Sequence, residues 1–505
     1  MTKILMILVL IFYTVALFFI FIYSLTQATL IWRYIRKKNK INSNLKDPMY
    51  FPRITVQLPI YNELYVVERL IDNICSLNYP RDKLQIQVLD DSTDETVEIV
   101  KLKVEEWSRK GVNIDHVHRI NRIGYKAGAL KSGLELATGE YIAIFDSDFL
   151  PRLDFLLETV PFFINPKVGM VQTKWEHLNR NYSLLTKIQA FGLDAHFTVE
   201  QVGRNYNDGF INFNGTAGMW RKSCIVDSGN WQADTLTEDL DLSYRAQLRD
   251  WKFIYLENVE SPAELPPVMS ALKTQQYRWT KGGAETAKKH LLSVLKSKKP
   301  IANKWHGVMH LLNSAIFLSV LLCAILSVPL LYTKIAFPDF KNVFLIASLF
   351  IISFFILCTM YYVSSARRYK NKISAVLNLL VTFPMFLSVS MGLSLHNGIA
   401  VLEGYLGRKT PFIRTPKFNL SNSNGEWIGN KYLKTKLNWI NVLELALAFY
   451  FAFGVVKGIQ FKDYGLLPFH IMLSFGFLTV FYYSVFQSVL VKEKGKVMEH
   501  IPVYK

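Results

Sequence analysis

The chain has 505 residues, half of them hydrophobic, with 35 Phe, 25 Tyr and a formal net charge of +18. Such a mixture is typical of a soluble domain joined to membrane helices, and the length leaves room for two or three domains. Because much of the positive charge lies beside apolar segments, where it pairs with anionic lipid head groups and sets topology, we exclude nucleic acid as a partner; the four scattered cysteines, without a CxxC pair, exclude a zinc site.

The first predicted element is a membrane helix. The segment from Ile4 to Trp32 is almost uncharged and exceeds the roughly 20 residues that a bilayer crossing needs. A signal peptide would have a shorter apolar core followed by a small-residue cleavage site. Here a basic cluster follows directly: Arg33, Arg36, Lys37, Lys38 and Lys40. We therefore predict an uncleaved transmembrane anchor over residues 1–45, with the following domain in the cytoplasm.

Residues 46–300 predict an α/β domain. Short apolar runs alternate with segments of helical periodicity, and the runs Ile54–Leu58, Leu84–Leu89 and Tyr141–Phe145 are typical of buried strands. This alternation predicts a largely parallel sheet with helices on both faces. Ligands bind such sheets at the carboxyl ends of the strands.

The predicted strand ends carry carboxylates. Asp90-Asp91-Ser92-Thr93 and Asp146-Ser147-Asp148 each follow an apolar run, and Glu63 lies just after the first strand. Like charges in one cleft are costly unless a cation lies between them, and oxygen ligands spaced Asp-x-Asp suit Mg²⁺ or Mn²⁺. We therefore predict a metal site at Asp146 and Asp148. For Asp90 and Asp91, capping of the next helix explains the pattern equally well.

Three later features complete the predicted site. Lys126 opens a helix and is placed to reach a phosphate. Glu238, Asp239 and Asp241 lie at the start of another helix, where one carboxylate can serve as a general base. Successive helical residues are about 100° apart, so we expect only one of Glu238 and Asp239 to face the cleft. Arg278 and Trp279 offer a cation for a diphosphate and an aromatic face for a sugar.

The C-terminal part, residues 301–505, predicts a membrane region. Its apolar stretches run from Val308 to Leu331, Val343 to Val363, Ala375 to Leu395, Val442 to Val456 and Leu466 to Val491. Basic residues on both sides of Ala375–Leu395, together with Pro384 and a polar exit, favour a broken, interfacial or re-entrant segment there. We predict five crossings, with six as the alternative, and a cytoplasmic loop over residues 403–438.

Seven motifs resemble those of membrane-integrated, inverting family-2 glycosyltransferases of the cellulose-synthase-like superfamily, above all the cellulose-synthase-like A and mannan-synthase branch and its bacterial relatives. The motifs are QLPIYNE (57–63), QVLDDSTDET (87–96), KAGAL (126–130), FDSDF (145–149), FNGTAG (213–218), LTEDLDLSYR (236–245) and QQYRWTKG (275–282). The resemblance implies a Rossmann-like GT-A domain that uses a nucleotide-diphosphate sugar, GDP-mannose or UDP-glucose, with Mg²⁺ or Mn²⁺.

The resemblance also implies roles for individual residues. Tyr61, Glu63, Asp90, Asp91, Lys126 and Asp146 match positions that bind the nucleotide sugar, and Asp146 and Asp148 match the metal site. Asp239 matches the catalytic base. Gln275, Arg278 and Trp279 match the acceptor and diphosphate site, and Asn214, Gly215 and Thr216 match the loop around the acceptor.

The stretch Phe412–Lys417 resembles the gating loop Phe-x-Val-Thr-x-Lys of processive synthases, with Arg414 in place of Val and an added Pro416. Two functions remain open on these grounds. A synthase would extend a β-linked mannan- or glucan-like polymer and pass it through its own helices, whereas a glycolipid synthase would load one sugar onto a membrane lipid. The loop and the number of helices favour the polymer. A bacterial inner membrane or a Golgi-type membrane is the expected location.

Overall fold

The computed structural model describes residues 3–37, 51–337, 351–369, 371–421, 425–433 and 437–499. A seven-stranded sheet in the order β3-β2-β1-β4-β6-β5-β7 forms the centre of the first domain. The strands are Ile54–Ile60 (β1), Leu84–Asp90 (β2), Ile114–His118 (β3), Tyr141–Ile144 (β4), Val168–His177 (β5), Gly218–Arg221 (β6) and Lys252–Ala263 (β7). Strands β1 to β4 are mutually parallel, and β6 is antiparallel to both its neighbours. The predicted α/β fold with a largely parallel sheet is confirmed.

The central strands form because their residues are buried on both faces. Ile54, Val56 and Leu58 of β1 are fully buried, as expected for a parallel sheet covered by helices. The polar residues between them satisfy one another across the strand pair. Thr55 Oγ1 donates to Gln85 Oε1 (2.9 Å) and Gln57 Nε2 donates to Gln87 Oε1 (3.0 Å), in register. These buried bonds pin the register of β1 against β2.

Helices cover both faces of the sheet. In this domain they are Val67–Cys75 (α2), Thr96–Arg109 (α3), Tyr125–Leu136 (α4), Phe155–Thr159 (α5), Leu184–Ala195 (α6), Gln201–Asn205 (α7), Lys222–Asp227 (α8) and Glu238–Leu248 (α9), with a π-helical turn at His196–Glu200 and 3₁₀ turns at Arg81–Lys83 and Val160–Ile164. Two further helices, Met269–Lys296 (α10) and Ile301–Leu311 (α11), lead from this domain to the apolar helices.

The remaining helices form the membrane region. They are Lys3–Lys37 (α1), Ala315–Ala336 (α12), Ile351–Ser365 (α13), Lys372–Gly392 (α14), Ser394–Leu406 (α15), Trp439–Gln460 (α16) and Leu467–Glu499 (α17), with a 3₁₀ turn at Ala366–Arg368. By length and composition, five helices of the described chain are able to cross a bilayer, namely α1, α12, α14, α16 and α17. For α13, part of the predicted stretch Val343–Val363 lies outside the described residues.

Two predicted membrane segments differ from the structure. Val308–Leu331 is divided between α11 and α12, because the chain turns at residues 312–314. Of the broken, interfacial or re-entrant segments predicted for Ala375–Leu395, a helix broken at Pro384 is wrong, since α14 continues through this proline to Gly392. One turn further along, the Ser388 hydroxyl donates to the Pro384 carbonyl (2.7 Å). The turn comes instead at Leu393, which separates α14 from α15.

Polar contacts mark the two ends of the helical region. At one end, Lys334 in the last turn of α12 pairs with Asp463 between α16 and α17 (2.8 Å). At the other end, the helices contact the sheet domain: Arg368, just before α14, donates two bonds to Asp194 (both 2.9 Å), and Glu403 of α15 accepts from Tyr277 of α10. The segment α14–α15 therefore begins and ends on the side of the sheet domain.

Candidate active site

A cavity of about 170 Å³ opens at the carboxyl ends of β1, β2 and β4, where parallel α/β sheets bind ligands. Most residues predicted from the sequence line it: Tyr61, Glu63, Asp91, Lys126, Asp146, Asp148, Asn214, Gly215, Asp239, Gln275, Arg278 and Trp279. Segments up to about 220 residues apart along the chain thus meet in one place. Asp90 and Thr216 are not among the residues that line it.

The Asp-x-Asp pair follows β4, and each carboxylate contacts a lysine. Lys126 Nζ donates to Asp146 Oδ1 (2.5 Å) and to the Gly215 carbonyl (2.8 Å), while Lys417 Nζ lies 2.7 Å from Asp148 Oδ2. Burial works against the charge on Lys126, but Asp146 and Glu238 raise its pKa above the ordinary value. Asp148 Oδ1 is buried and has no hydrogen-bond partner in the described part of the chain. One hard oxygen acceptor therefore remains available at this point.

Helix α9 brings both of its first residues, Glu238 and Asp239, to the cavity. The expectation that only one would face it is wrong, because the helix begins at Glu238 and the cavity surrounds its N-terminal end. Burial, and next the charge of Glu238, raise the pKa of Asp239 to about 7, and burial raises that of Glu238. A carboxyl with a pKa near neutrality is suited to act as a general base.

The loop before β6 closes over this base. Gly215 has φ of +79°, and a Cβ added there would lie 3.1 Å from Asp239 Oδ2 and 3.4 Å from Lys126 Nζ. Only glycine fits this backbone conformation without strain. Thr216 is buried, and its hydroxyl accepts from the Asp146 amide (2.9 Å), so it positions the Asp-x-Asp turn. The backbone N–H of Asn214 donates to Gln172 Oε1 (3.0 Å), which fixes this residue in the loop.

Helix α10 contributes Gln275, Arg278 and Trp279 to the cavity. Arg278 Nη2 donates to Thr415 Oγ1 (3.0 Å), and its Cζ lies 4.8 Å from the Phe412 ring centroid. Burial lowers the pKa of Arg278, while the surrounding carboxylates, Asp146 first among them, oppose that effect. The Trp279 ring lies 6.5 Å from Trp175 at the end of β5. The helix thus presents a cation beside the carboxylates and an aromatic wall next to it.

The two acidic residues at the end of β2, Asp90 and Asp91, lie in different environments. Asp91 faces the cavity, but both its oxygens accept from Arg119, at 2.7 and 2.6 Å. Asp90 is fully buried: His116 Nε2 lies 2.9 Å from its Oδ2, and its Oδ1 accepts from the Ser92 amide (2.8 Å). Successive strand residues point to opposite faces, which explains why the two neighbours differ. The structure does not bring the Asp90 carboxylate to the cavity.

The loop that resembles a gate lies inside the site. Phe412, Arg414, Thr415 and Lys417 all line the cavity. Arg414 Nη1 lies 2.8 Å from Glu63 Oε2, and its Cζ lies 4.1 Å from the Tyr432 ring centroid. Burial raises the pKa of Glu63 to about 7, and Arg414 and Lys417 counteract it in part. Two cations of this loop, Arg414 and Lys417, therefore pair with two carboxylates of the sheet domain, Glu63 and Asp148.

Several residues that line the cavity were not predicted. Trp175 and His177 come from the end of β5, and Arg122 comes from the loop before α4. His177 is buried and lies 3.5 Å from Asp194, and burial lowers its pKa. The alternation of apolar and polar residues in VQTKWEH indicates a strand and so offered a signal for Trp175. The loop that carries Arg122 offered none.

This sheet, with carboxylates at its strand ends and an Arg-Trp pair against them, defines a glycosyltransferase of the GT-A class. The family described as "Glycosyltransferase like family 2" matches residues 52–282. The chain is 35% identical over 420 residues to glucomannan 4-beta-mannosyltransferase 9 of Arabidopsis thaliana, which covers 80% of this chain and 75% of that protein. The chain therefore belongs to glycosyltransferase family 2, in the branch of the glucomannan 4-beta-mannosyltransferases.

Two further comparisons agree with this placement. The chain is 43% identical over 287 residues to probable glucomannan 4-beta-mannosyltransferase 4 of Oryza sativa subsp. japonica, over 56% of this chain and 52% of that protein. The chain thus spans about half the length of several curated relatives it matches. Its fold resembles that of mannosyltransferase PcManGT from Pyrobaculum calidifontis in complex with GDP-Man and Mn²⁺, with a TM-score of 0.52 and 19% identity, over 79% of this chain and 100% of that chain.

Proposed function

We propose that the chain is an inverting glycosyltransferase that moves a hexose, mannose first of all, from a nucleotide-diphosphate sugar to a growing β-linked polysaccharide. The observation that carries this proposal is the convergence of Asp239, Arg278 and the Asp146–Asp148 pair in one cavity. The names of the relatives support mannose over glucose, and hence GDP-mannose over UDP-glucose as the donor.

Asp239 is the proposed base. Inversion by direct displacement needs one group that accepts the proton of the attacking hydroxyl. With a pKa of about 7, Asp239 takes up that proton readily at neutral pH, and the bond from the Leu240 amide to Oδ1 (2.8 Å) fixes the carboxyl plane. Its Oδ2 faces the Gly215 turn, where the absence of a side chain leaves room for an acceptor.

Arg278 and Lys126 are the proposed partners of the leaving diphosphate. Both are cations within the ring of carboxylates, and Arg278 offers a planar fork that matches two phosphate oxygens. Asp146 and Asp148 fit a divalent ion, because Asp148 Oδ1 is a buried acceptor without a partner among the described residues. Mg²⁺ or Mn²⁺ held there would supply positive charge to the departing phosphate oxygen.

The carboxylates alone do not complete a metal site. Within the described chain no three His, Cys, Asp or Glu side chains come together as a group that holds a metal. Two protein carboxylates leave the other coordination positions to phosphate oxygens and water, which is the usual arrangement for Mg²⁺. Lys417 contacts Asp148 in the present arrangement, so ion binding is expected to coincide with a change in this contact.

A second cavity of about 540 Å³ supports a polymer as the product. It shares Leu236 and Arg278 with the catalytic cavity and extends between α10 and the start of α16. Its wall combines apolar groups such as Ile440 with polar groups such as Asn441 and Ser484. Such a surface suits a neutral sugar chain, and we propose that the product passes this way into the helical region.

The proposed orientation places the sheet domain in the cytoplasm, either at a bacterial inner membrane or at a Golgi-type membrane. The basic residues next to α1, α10 and α14 support this side under the positive-inside rule. The proposed organisation is an anchor over residues 1–45, a catalytic domain over 46–300 and a membrane region over 301–505. Five crossings follow if α14 and α15 together form one re-entrant segment.

The test is the product formed by the purified full chain with radiolabelled GDP-mannose and Mn²⁺ in lipid nanodiscs. We expect a ladder of β-linked oligomers that a β-mannanase digests. The same chain with Asp239→Asn is the control and should give none. A single spot that migrates with lipid would contradict polymer synthesis and favour transfer to a lipid acceptor, whereas no transfer from any sugar nucleotide would contradict the enzymatic assignment.

A further inference from the structure

The nucleotide end of the cavity holds an arginine that the mechanism above does not use. Arg122 lies in the loop between β3 and α4 and lines both the catalytic cavity and a neighbouring cavity of about 510 Å³. Its Cζ lies 3.3 Å from the Tyr61 ring centroid, so the guanidinium rests on that ring. The rings of Tyr125 and Phe412 are also close, at 5.0 and 5.7 Å. The side chain is thus held by three aromatic rings.

The backbone on both sides of Arg122 is fixed as well. Arg119 donates to the carbonyls of Ile123 (3.3 Å) and Tyr125 (3.0 Å), while it also holds both oxygens of Asp91. The Nε of Arg122 is buried and has no hydrogen-bond partner among the described residues. The loop therefore positions a planar cation of which at least the Nε donor is free among the described residues.

The two acidic side chains at this end already have partners. The oxygens of Asp91 are occupied by Arg119, and those of Asp90 by His116 and Ser92. Arg414 lines the same two cavities but faces the carboxylate of Glu63 at 2.8 Å, so its charge is already paired. The cations next to the Asp-x-Asp pair are others, Lys126, Arg278 and Lys417, so a diphosphate held at that pair has its partners without Arg122.

We propose that Arg122 recognises the base of the donor nucleotide and selects guanine. A guanidinium presents two parallel N–H donors in one plane, and guanine offers O6 and N7 as two adjacent acceptors. Adenine places an amino donor beside N7, and uracil has the O4 acceptor without N7, so neither accepts both bonds. Tyr61 fixes the plane in which the fork lies. This inference rests on the proposed function and names the donor from the chain's own residue.

The test measures the affinities of GDP and UDP for the full chain in detergent with Mn²⁺, by calorimetry, in wild type, Arg122→Lys and Arg122→Ala. We expect wild type to prefer GDP. Both substitutions should weaken GDP binding about tenfold or more, as for the loss of one bidentate base contact, and leave UDP binding within about twofold. Lysine keeps the charge but loses the planar fork. Arg109→Ala, on the exposed face of α3, is the control and should change neither affinity.

The other possible results would overturn the proposal that Arg122 recognises guanine. Equal losses for GDP and UDP would assign Arg122 to the diphosphate and overturn base recognition. Unchanged GDP affinity in Arg122→Lys, or a wild-type preference for UDP, would also overturn it while sugar transfer stands. If wild type binds neither nucleotide, the proposed function fails together with the inference. Retained UDP binding in the variants shows that they are folded.

Discussion

At the residue scale, the proposed chemistry centres on the neighbouring carboxyl groups of Glu238 and Asp239. Both line the cavity, and burial raises the pKa of both; the charge of Glu238 adds to this effect at Asp239, and that of Asp146 adds to it at Glu238. Lys126 and Arg278 oppose the rise at Glu238. With a pKa of about 7, Asp239 is suited to accept the proton of an attacking hydroxyl near neutral pH.

Asp239→Asn should retain donor binding and lose transfer by the ~10²–10⁴-fold typical of a removed general base. An amide keeps the shape of the side chain but does not accept the hydroxyl proton. Donor affinity and transfer rate, measured on the same preparation, separate the two effects. If Asp239→Asn transfers at the wild-type rate while Glu238→Gln is inactive, the base is Glu238 instead.

The pH dependence should carry the signature of Asp239. The base acts in its ionised form, so kcat/KM should rise as pH increases through about 7 and then level off, where the pKa of Asp239 lies. Glu238→Gln removes a neighbouring negative charge that raises this pKa, so the inflection should move to lower pH. A profile that is flat between pH 6 and 8 would argue against a titrating base.

Asp146→Asn and Asp148→Asn should each abolish turnover that depends on Mg²⁺ or Mn²⁺, since an amide does not neutralise a cation. EDTA should silence the wild type, and added ion should restore it. Asp154→Asn is the matched control: Asp154 follows on the same loop, outside the cavity, and pairs with Arg152 (2.5 Å). Full activity of both Asp146→Asn and Asp148→Asn at ordinary ion concentrations would contradict the metal assignment.

Most site residues could be predicted from the sequence because they follow predicted strands or begin predicted helices. The carboxyl ends of parallel strands meet at one edge of the sheet, so residues at those ends are expected to lie together. Asp90 was overpredicted, since the alternation of strand side chains turns it towards His116. Arg122 could not be predicted, because its place depends on the tertiary contact with Tyr61. Asp239 was chosen over Glu238 as the base because it matches the family motif, not because of the helical periodicity.

At the scale of elements, the segment from Phe412 to Lys417 acts as a strap across the cavity. It is held at three points, by Arg414 on Glu63, Thr415 on Arg278 and Lys417 on Asp148. Further along, Lys431 pairs with Glu95, and Tyr432 bonds Asp94, at the start of α3. Because the strap is held by ion pairs to Glu63 and Asp148, any other cation that binds these carboxylates is expected to weaken its contacts.

Arg414→Ala should loosen this strap. The buried Glu63 loses its nearest cation, so its pKa, already about 7, rises further and the remaining contacts weaken. Amide hydrogen exchange over residues 411–418 should accelerate at least about tenfold in nanodiscs. Arg408→Ala, on the same segment and 72% exposed, is the matched control and should have no effect.

The combination of Arg414→Ala with Glu63→Gln should restore part of the protection, because a neutral amide does not need the cation. Unchanged exchange in Arg414→Ala would mean that the pair does not hold the strap. An equal acceleration in Arg408→Ala would mean that the segment responds to any loss of charge.

Among the elements, the three predicted strands agree with β1, β2 and β4 to within two residues, because continuous apolar runs leave few alternatives. The membrane helices agree less well. A broken helix was one alternative for Ala375–Leu395, but α14 is continuous and packs so closely on α17 that a Cβ on Gly392 would lie 2.4 Å from the Gly476 carbonyl. Local sequence does not reveal such a contact.

At the scale of the whole molecule, the sheet domain is fastened to the helices by charge. Asp194 accepts two bonds from Arg180 (both 2.8 Å) and two from Arg368. Although burial raises the pKa of a carboxyl, the neighbouring His177 and the bonds from Arg180 hold that of Asp194 well below its usual range. A second joint links Lys273 of α10 to Glu444 of α16 (2.8 Å). The catalytic cavity lies between these two joints.

The loop after α15 should be cytoplasmic. In a background with the half-buried Cys358 replaced by Ser, cysteines at Arg408 and Lys417 should resist an impermeant thiol reagent in intact cells. Tyr464→Cys, 60% exposed between α16 and α17, should react and is the opposite-side control. Reaction at Arg408→Cys from outside would mean six crossings. Lys434, another position predicted to be cytoplasmic, lies outside the described residues.

Helix α10 is a single helix of 28 residues that carries Lys273 at one joint and Arg278 five residues later. Within one continuous helix Lys273 and Arg278 are about 7.5 Å apart along the axis, so a shift at this joint reaches the guanidinium. Lipid tails of another length are expected to shift α16 relative to the bilayer surface, and α10 would pass that displacement on. On the proposed function, we therefore expect the rate of sugar transfer to depend on the thickness of the host membrane.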